Sequence, residues 1–83
     1  MPTVAMVDGV KVIFYRNDHL PPHFHAAFAE HQALISLESL DVLEGALPKA
    51  KLKGVLDWAA SHREELQACW NKVQNNEHPG KVE

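Results

Sequence analysis

Hydrophobic and polar positions alternate in short runs along the first half of the chain, as is typical of β-strands. The stretch "TVAMVDGVKVIFYR" contains two such runs on either side of Asp8-Gly9, a dipeptide that supplies the positive φ angles of a tight type I′ turn. The runs "HFHAAFA" and "ALISLESL" follow, separated by the polar "EHQ". The pattern predicts two β-hairpins, and so an antiparallel sheet of about four strands.

The pattern changes to that of a helix from about Lys49 onward. Gly45 and Pro48 precede this change and indicate a break followed by a residue suited to the first turn of a helix. Apolar residues then recur at steps of three and four: Leu52, Val55, Leu56, Ala59, Leu66, Cys69, Trp70 and Val73. One long amphipathic helix is therefore predicted, in which Gly54 costs about 1 kcal/mol relative to alanine unless close packing needs it.

These elements predict an α+β fold, a small antiparallel sheet covered on one face by a long C-terminal helix. The domain is expected to span residues 1–76, with 77–83 as a flexible tail. The predicted core has two sides. Strand alternation gives the residues on the sheet, and helical spacing gives those on the helix. The sheet side is Val12, Phe14, Phe24, Phe28, Ile35 and Leu37, and the helix side is Leu52, Val55, Leu56, Leu66 and Trp70.

Composition narrows the class of protein. A chain of 83 residues with 46% hydrophobic residues is large enough for one core. The net charge of −3 argues against strong nonspecific attraction to nucleic acid, although Lys49, Lys51 and Lys53 could form a local basic patch. Cys69 is the only cysteine and is expected to be a buried apolar residue. No signal peptide or long apolar segment is present in the sequence, so we expect a cytoplasmic protein with no membrane partner.

The densest chemistry lies in "HLPPHFH", which begins at His19 and holds three of the six histidines. Pro21 and Pro22 keep the chain extended and remove two backbone donors, so this segment connects two strands. Asp18 is suited to accept hydrogen bonds from the backbone of the turn. His23 is then expected to begin a strand.

His23 and His25 are two residues apart, so on a strand both rings leave the same face, with about 7 Å between their Cα atoms. This is the spacing of an HxH metal site, but zinc needs further ligands. The candidates are Asp18, His19, His31 and His62. We expect no resident metal or cofactor, because the two histidines are explained as polar residues of an exposed sheet face.

His62 lies between Ala59 and Leu66 on the apolar stripe of the predicted helix. It is expected to be at least partly buried, as a neutral imidazole that donates a hydrogen bond to a carbonyl or carboxylate. Trp58 and Trp70 are expected to cover the core or its edge.

The segment "DGVKVIFYRNDHLPPHFHA", followed by "GALP" and "VLDWAASHREELQACW", resembles the short bacterial proteins grouped as domain-of-unknown-function family 4160. The likeness covers about Pro2 to Trp70. It implies a small cytoplasmic protein that is encoded beside another small protein, an arrangement that suggests a toxin-antitoxin pair. It implies no catalytic residue.

A strand histidine followed by "EGALPKAKLKGVL" is also similar in outline to the HicA messenger-RNA interferase toxins, with His23 or His25 at the matching position. A proline pair replaces their glycine-serine approach to the histidine, and their N-terminal helix is absent. This similarity implies a metal-independent ribonuclease. The residues themselves offer an acid/base face for that chemistry, formed by Tyr15, His23 and His25, with Lys11 able to stabilise an anion.

Two hypotheses follow. The first is a protein-interaction module whose contact residues are Tyr15, Asp18, His19, His23 and His25. Its partner would be a protein, for which the product of the adjacent gene is the first candidate. The second is a histidine-dependent ribonuclease toxin with RNA as its partner. The sequence leaves open whether the protein is an enzyme.

Overall fold

The computed structural model describes residues 3–15, 21–77 and 80. These residues form a five-stranded antiparallel sheet in which the strands follow one another in chain order. The strands are β1 (Thr3–Val7), β2 (Val10–Ile13), β3 (His23–Phe28), β4 (His31–Ser36) and β5 (Val42–Ala46). Helices α1 (Lys49–Ser61) and α2 (Arg63–Gln74) follow. The predicted α+β class is confirmed, as are both hairpins, while most of the predicted tail at 77–83 lies outside the described residues.

The first hairpin has the turn that its sequence predicts. Asp8 and Gly9 both have positive φ angles, 50° and 82°, as the two central positions of a type I′ turn require. Val7 and Val10 pair on either side of them. Further along β1 the register shifts between Thr3 and Ala5, a bulge that accompanies full burial of Val4.

Strand β5 was not predicted, because Gly45 suggested a break. Gly45 instead pairs with Ala33 at a φ of 75°, and a Cβ there would overlap the carbonyl oxygen of Gln32. Glycine therefore permits the close approach of β5 to β4. The register also shifts between Leu34 and Ile35, which pair with Glu44 and Val42, so Leu43 is the extra residue of a bulge.

The predicted long helix is divided at His62. The His62 N–H donates to the carbonyl of Ala59 at 3.1 Å, and the His62 ring Nδ1 lies 2.8 Å from the carbonyl of Trp58. The carbonyl that would accept the next backbone bond of α1 is thus used by a side chain, a known way of interrupting a helix. The His62 carbonyl then accepts from Leu66 at 2.9 Å and begins α2.

Both helices cover the same face of the sheet. Every residue of the predicted core is either buried or packed half-buried against the buried cluster. Trp70 of α2 contacts Phe14 edge-on, with ring centroids 6.5 Å apart. At the other end of the helical layer, the Lys51 Nζ lies 3.0 Å from the Asp8 carbonyl and 4.9 Å from the centre of the Phe28 ring.

The opposite side of the sheet, which we call the open face, carries a row of paired residues that crosses four strands: Ile13, His25, Leu34 and Glu44. Ile13 is buried, His25 and Leu34 are half-buried and Glu44 is exposed. Side chains of the open face are therefore increasingly available for contact from β3 toward β5. Neither helix in the described ranges is long and apolar enough to cross a membrane.

Candidate functional site at the start of strand β3

His23 is fully buried, which corrects the expectation that strand alternation exposes it together with His25. It is the first residue of β3 and lies at the end of the sheet that α2 reaches. There the Trp70 ring of α2 is 5.4 Å away, centroid to centroid. The side chain of His23 is thus enclosed at the sheet end, although its position in the alternation places it on the open face.

The buried ring of His23 donates a hydrogen bond from Nδ1. Its Nδ1 lies 2.7 Å from the carbonyl oxygen of Pro21. A carbonyl oxygen only accepts, so Nδ1 carries the hydrogen and donates it. This bond links the buried ring to the proline segment that precedes it and fixes the ring's orientation.

The proline segment is also held by the neighbouring strand. Leu37 donates its backbone N–H to the carbonyl of Pro22 at 2.9 Å, and Ser36 pairs with His23 across β4. Ser36 is buried, and its hydroxyl accepts from the backbone N–H groups of Glu38 and Ser39 at 3.2 and 3.3 Å. Ser36 and Leu37 therefore hold both the turn that leads to β5 and the proline corner, Pro21-Pro22.

His25 and Tyr15 form an aromatic pair on the open face. Their ring centroids are 4.4 Å apart and their planes are inclined by 74°, an edge-to-face arrangement. Both side chains are half-buried. The His23 ring lies 5.2 Å from the His25 ring, so a buried ring supports the half-buried pair.

A side chain of helix α2 holds the backbone of Tyr15 in place. The side-chain amide of Gln74 donates to the Tyr15 carbonyl at 3.2 Å. Neither this contact nor the burial of Ser36 was predicted. Gln74 follows Val73, the last residue of the predicted apolar stripe. Its contact with Tyr15 joins residues 59 positions apart, so no local sequence pattern indicates it.

Of the five predicted contact residues, the structure thus places Tyr15, His23 and His25 together. Asp18 and His19 lie outside the described residues. Within the described ranges no group of three or more histidine, cysteine, aspartate or glutamate side chains is placed to hold a metal ion. His62 has a structural role instead. Its ring stacks on Trp58 and forms a hydrogen bond with the Trp58 carbonyl, the type of bond predicted for it.

The predicted basic patch on α1 is largely paired. Lys51 lies 3.3 Å from the carboxylate of Asp8, and Lys53 lies 2.8 Å from that of Asp57. The hydrogen bond and charge of Asp57 raise the pKa of Lys53 above its ordinary value. With two of the three lysines in ion pairs, this patch offers little free positive charge to a phosphate backbone.

Cys69 is buried, as predicted, at 4% exposure. Burial raises the pKa of its thiol above the ordinary value, with a smaller opposing effect from Lys72. The thiol therefore stays protonated at neutral pH, which is a packing role rather than a nucleophilic one.

The model of a protein family described as a domain of unknown function, DUF4160, matches residues 9–71. No curated protein and no solved structure matches the chain. The matched range contains Tyr15, the proline corner, both histidines of β3 and Trp70, so the whole aromatic arrangement lies within it.

Proposed function

We propose that this chain, which belongs to the DUF4160 family, is a protein-interaction module and one component of a bacterial toxin-antitoxin pair that acts in the cytoplasm. The observation that carries the proposal is the Tyr15–His25 pair, two half-exposed rings in edge-to-face contact on the open face. The pairing with another small protein rests on the family resemblance. The contact surface rests on the geometry.

The pair is suited to binding because its surroundings are already ordered. The Gln74 amide donates to the Tyr15 carbonyl and fixes the backbone there, and the His25 ring lies against both the Tyr15 ring and the buried ring of His23. Rigid aromatic side chains lose little conformational entropy on association, and tyrosine is enriched among the residues that dominate interface energies. Leu34, half-buried and paired with His25 across the strands, extends the surface with apolar area.

The ribonuclease hypothesis is supported less well. A general acid or base must reach the substrate, and His23 is fully buried with its Nδ1 engaged by Pro21. His25 and Tyr15 remain reachable, but the same row of the open face ends in the exposed carboxylate of Glu44, which repels phosphate. We therefore treat RNA cleavage as the alternative outcome of the test.

The test is a binding measurement with the product of the adjacent gene, using purified proteins. Tyr15→Ala and His25→Ala should each weaken binding at least about tenfold, as expected for an aromatic residue at the centre of an interface. His31→Ala is the matched control, because His31 is an exposed histidine of the same sheet. It should leave affinity unchanged.

Expression of the chain alone separates the two hypotheses. An interaction module without catalytic activity leaves growth and cellular RNA intact. Growth arrest with RNA cleavage, relieved by His25→Ala while partner affinity stays unchanged, would overturn the proposal and establish the enzyme.

A further inference from the structure

We propose that the outer edge of β5 is a second binding surface, which accepts a β-strand of a partner protein that carries basic side chains between apolar ones. This surface is separate from the Tyr15–His25 pair and does not depend on it. Its evidence is the exposure of the strand, the geometry of its bulge and the sign of its charge.

β5 is the last strand of the sheet, and every one of its residues is exposed. Two of them are large and apolar: Val42 is 37% exposed and Leu43 is 42% exposed. An edge strand presents a row of backbone N–H and C=O groups that another strand can pair with. Among the described residues no element lies beyond β5, so its outer side has the backbone and the apolar side chains that strand addition uses.

The bulge at Leu43 and the positive φ of Gly45 limit what can bind there. Bulges bend a strand and interrupt a regular ladder, and natural proteins use them to prevent unselective edge-to-edge association. The edge of β5 therefore suits a short strand with matching curvature rather than an extended flat sheet.

The negative charge around β5 determines which partner strands can bind. Residues 37–48 contain Glu38, Asp41 and Glu44 and no lysine, arginine or histidine. All three carboxylates are exposed. A second copy of this chain would bring like charges together across the new strand pair, which is destabilising. Glu44 lies within β5 and Asp41 directly precedes it, so an added strand with a lysine or arginine opposite Glu44 would pair with that carboxylate and be attracted by the acidic residues before the strand.

The other sheet edge provides a comparison within the same molecule. β1 has the sequence TVAMV, without a charged residue, and α1 packs beside it. Met6 is its exposed large apolar residue. If apolar exposure alone determined strand addition, β1 would compete with β5, whereas charge selection favours β5.

The experiment uses the full chain and two short capped peptides, one of alternating valine and lysine and one of alternating valine and glutamate. Amide hydrogen exchange and amide resonances are followed during titration. The lysine peptide should slow exchange within 42–46 and shift resonances there, and the glutamate peptide should do neither. Glu44→Lys should weaken binding of the lysine peptide by about threefold to tenfold, because it replaces an attraction with a repulsion.

Glu30→Lys is the matched control, since it makes the same charge change at an exposed turn of the same sheet. It should leave peptide affinity within twofold of the parent. Equal effects of the two peptides, protection confined to β1, or concentration-dependent self-association that protects β5 without peptide would each overturn the proposal. His25→Ala should not alter peptide binding, so failure of this surface is distinguishable from failure of the proposed function.

Discussion

Replacement of His23 by alanine should destabilise the domain by about 2–4 kcal/mol. The side chain is fully buried, and its removal leaves a cavity beside the Trp70 and His25 rings. Large-to-small replacements in a core cost about 2–5 kcal/mol, and loss of the 2.7 Å hydrogen bond to Pro21 contributes roughly 1 kcal/mol within that range. Because the Pro21 residue is exposed, water can satisfy its carbonyl in the variant, which keeps the total below the upper limit.

The matched control is His25→Ala, two residues along the same strand. His25 is half-buried on the open face, so its truncation should cost less than about 1 kcal/mol. His23→Phe separates the two contributions, since it keeps a ring against Trp70 and removes the hydrogen bond. It should lie between the other two variants.

Urea denaturation gives the free energies of unfolding, and thermal unfolding provides an independent check. For a domain of this size a loss of 1 kcal/mol lowers Tm by about 4–8 °C, so His23→Ala should melt roughly 10–25 °C below the parent. If His23→Ala and His25→Ala were equally stable, His23 would not be enclosed by α2. His23 and His25 would then form an exposed pair of histidines, as strand alternation alone predicts.

Three further outcomes are expected. Gly54→Ala should stabilise the protein by about 0.5–1 kcal/mol in urea denaturation, because the added Cβ approaches nothing nearer than the Asp8 carboxylate at 4.0 Å; a loss of stability would show a packing need for glycine. Gly45→Ala should destabilise by more than about 2 kcal/mol, since alanine disfavours the positive φ and its Cβ overlaps the Gln32 carbonyl. Cys69 has a raised pKa, so the folded state holds its proton more tightly; this contribution is complete below the ordinary value of 9.0 and is lost as pH rises above it. The decline in stability at high pH should therefore be smaller in Cys69→Ala, and an identical pH profile would contradict the assignment.

The sequence predicts most of the core because burial there follows simple periodicities. Val12 and Phe24 lie on strands in the middle of the sheet, where both neighbours are fixed by pairing, and Phe14 continues the alternation directly after β2. Val55 and Leu66 recur at helical spacing. In such positions local pattern and tertiary environment agree.

The failures occur where an element ends. His23 has the alternation of an open-face residue, but at the first position of β3 the helix, and not the strand, determines its environment. His62 lies on the apolar stripe as predicted, yet its ring competes for a backbone carbonyl and divides the helix, an effect that periodicity does not include. Glu64 and Glu65, in the first turn of α2, were the available signal of a new helix start.

The placement of His23 also explains why the proposed contact surface and the core are one structure. Phe14, Trp70 and His23 are in successive ring contact, and His23 in turn contacts His25. The ring that a partner would touch is thus supported by rings of the core, and helix α2 contributes both Trp70 and the amide of Gln74 that holds Tyr15. The pairing of β2 with β3 brings Tyr15 close to His25, and α2 supports this placement through the contact of Trp70 with His23 and the hydrogen bond of Gln74. The helical layer therefore has two roles, since the contacts that bury the apolar face also order the site proposed for the partner.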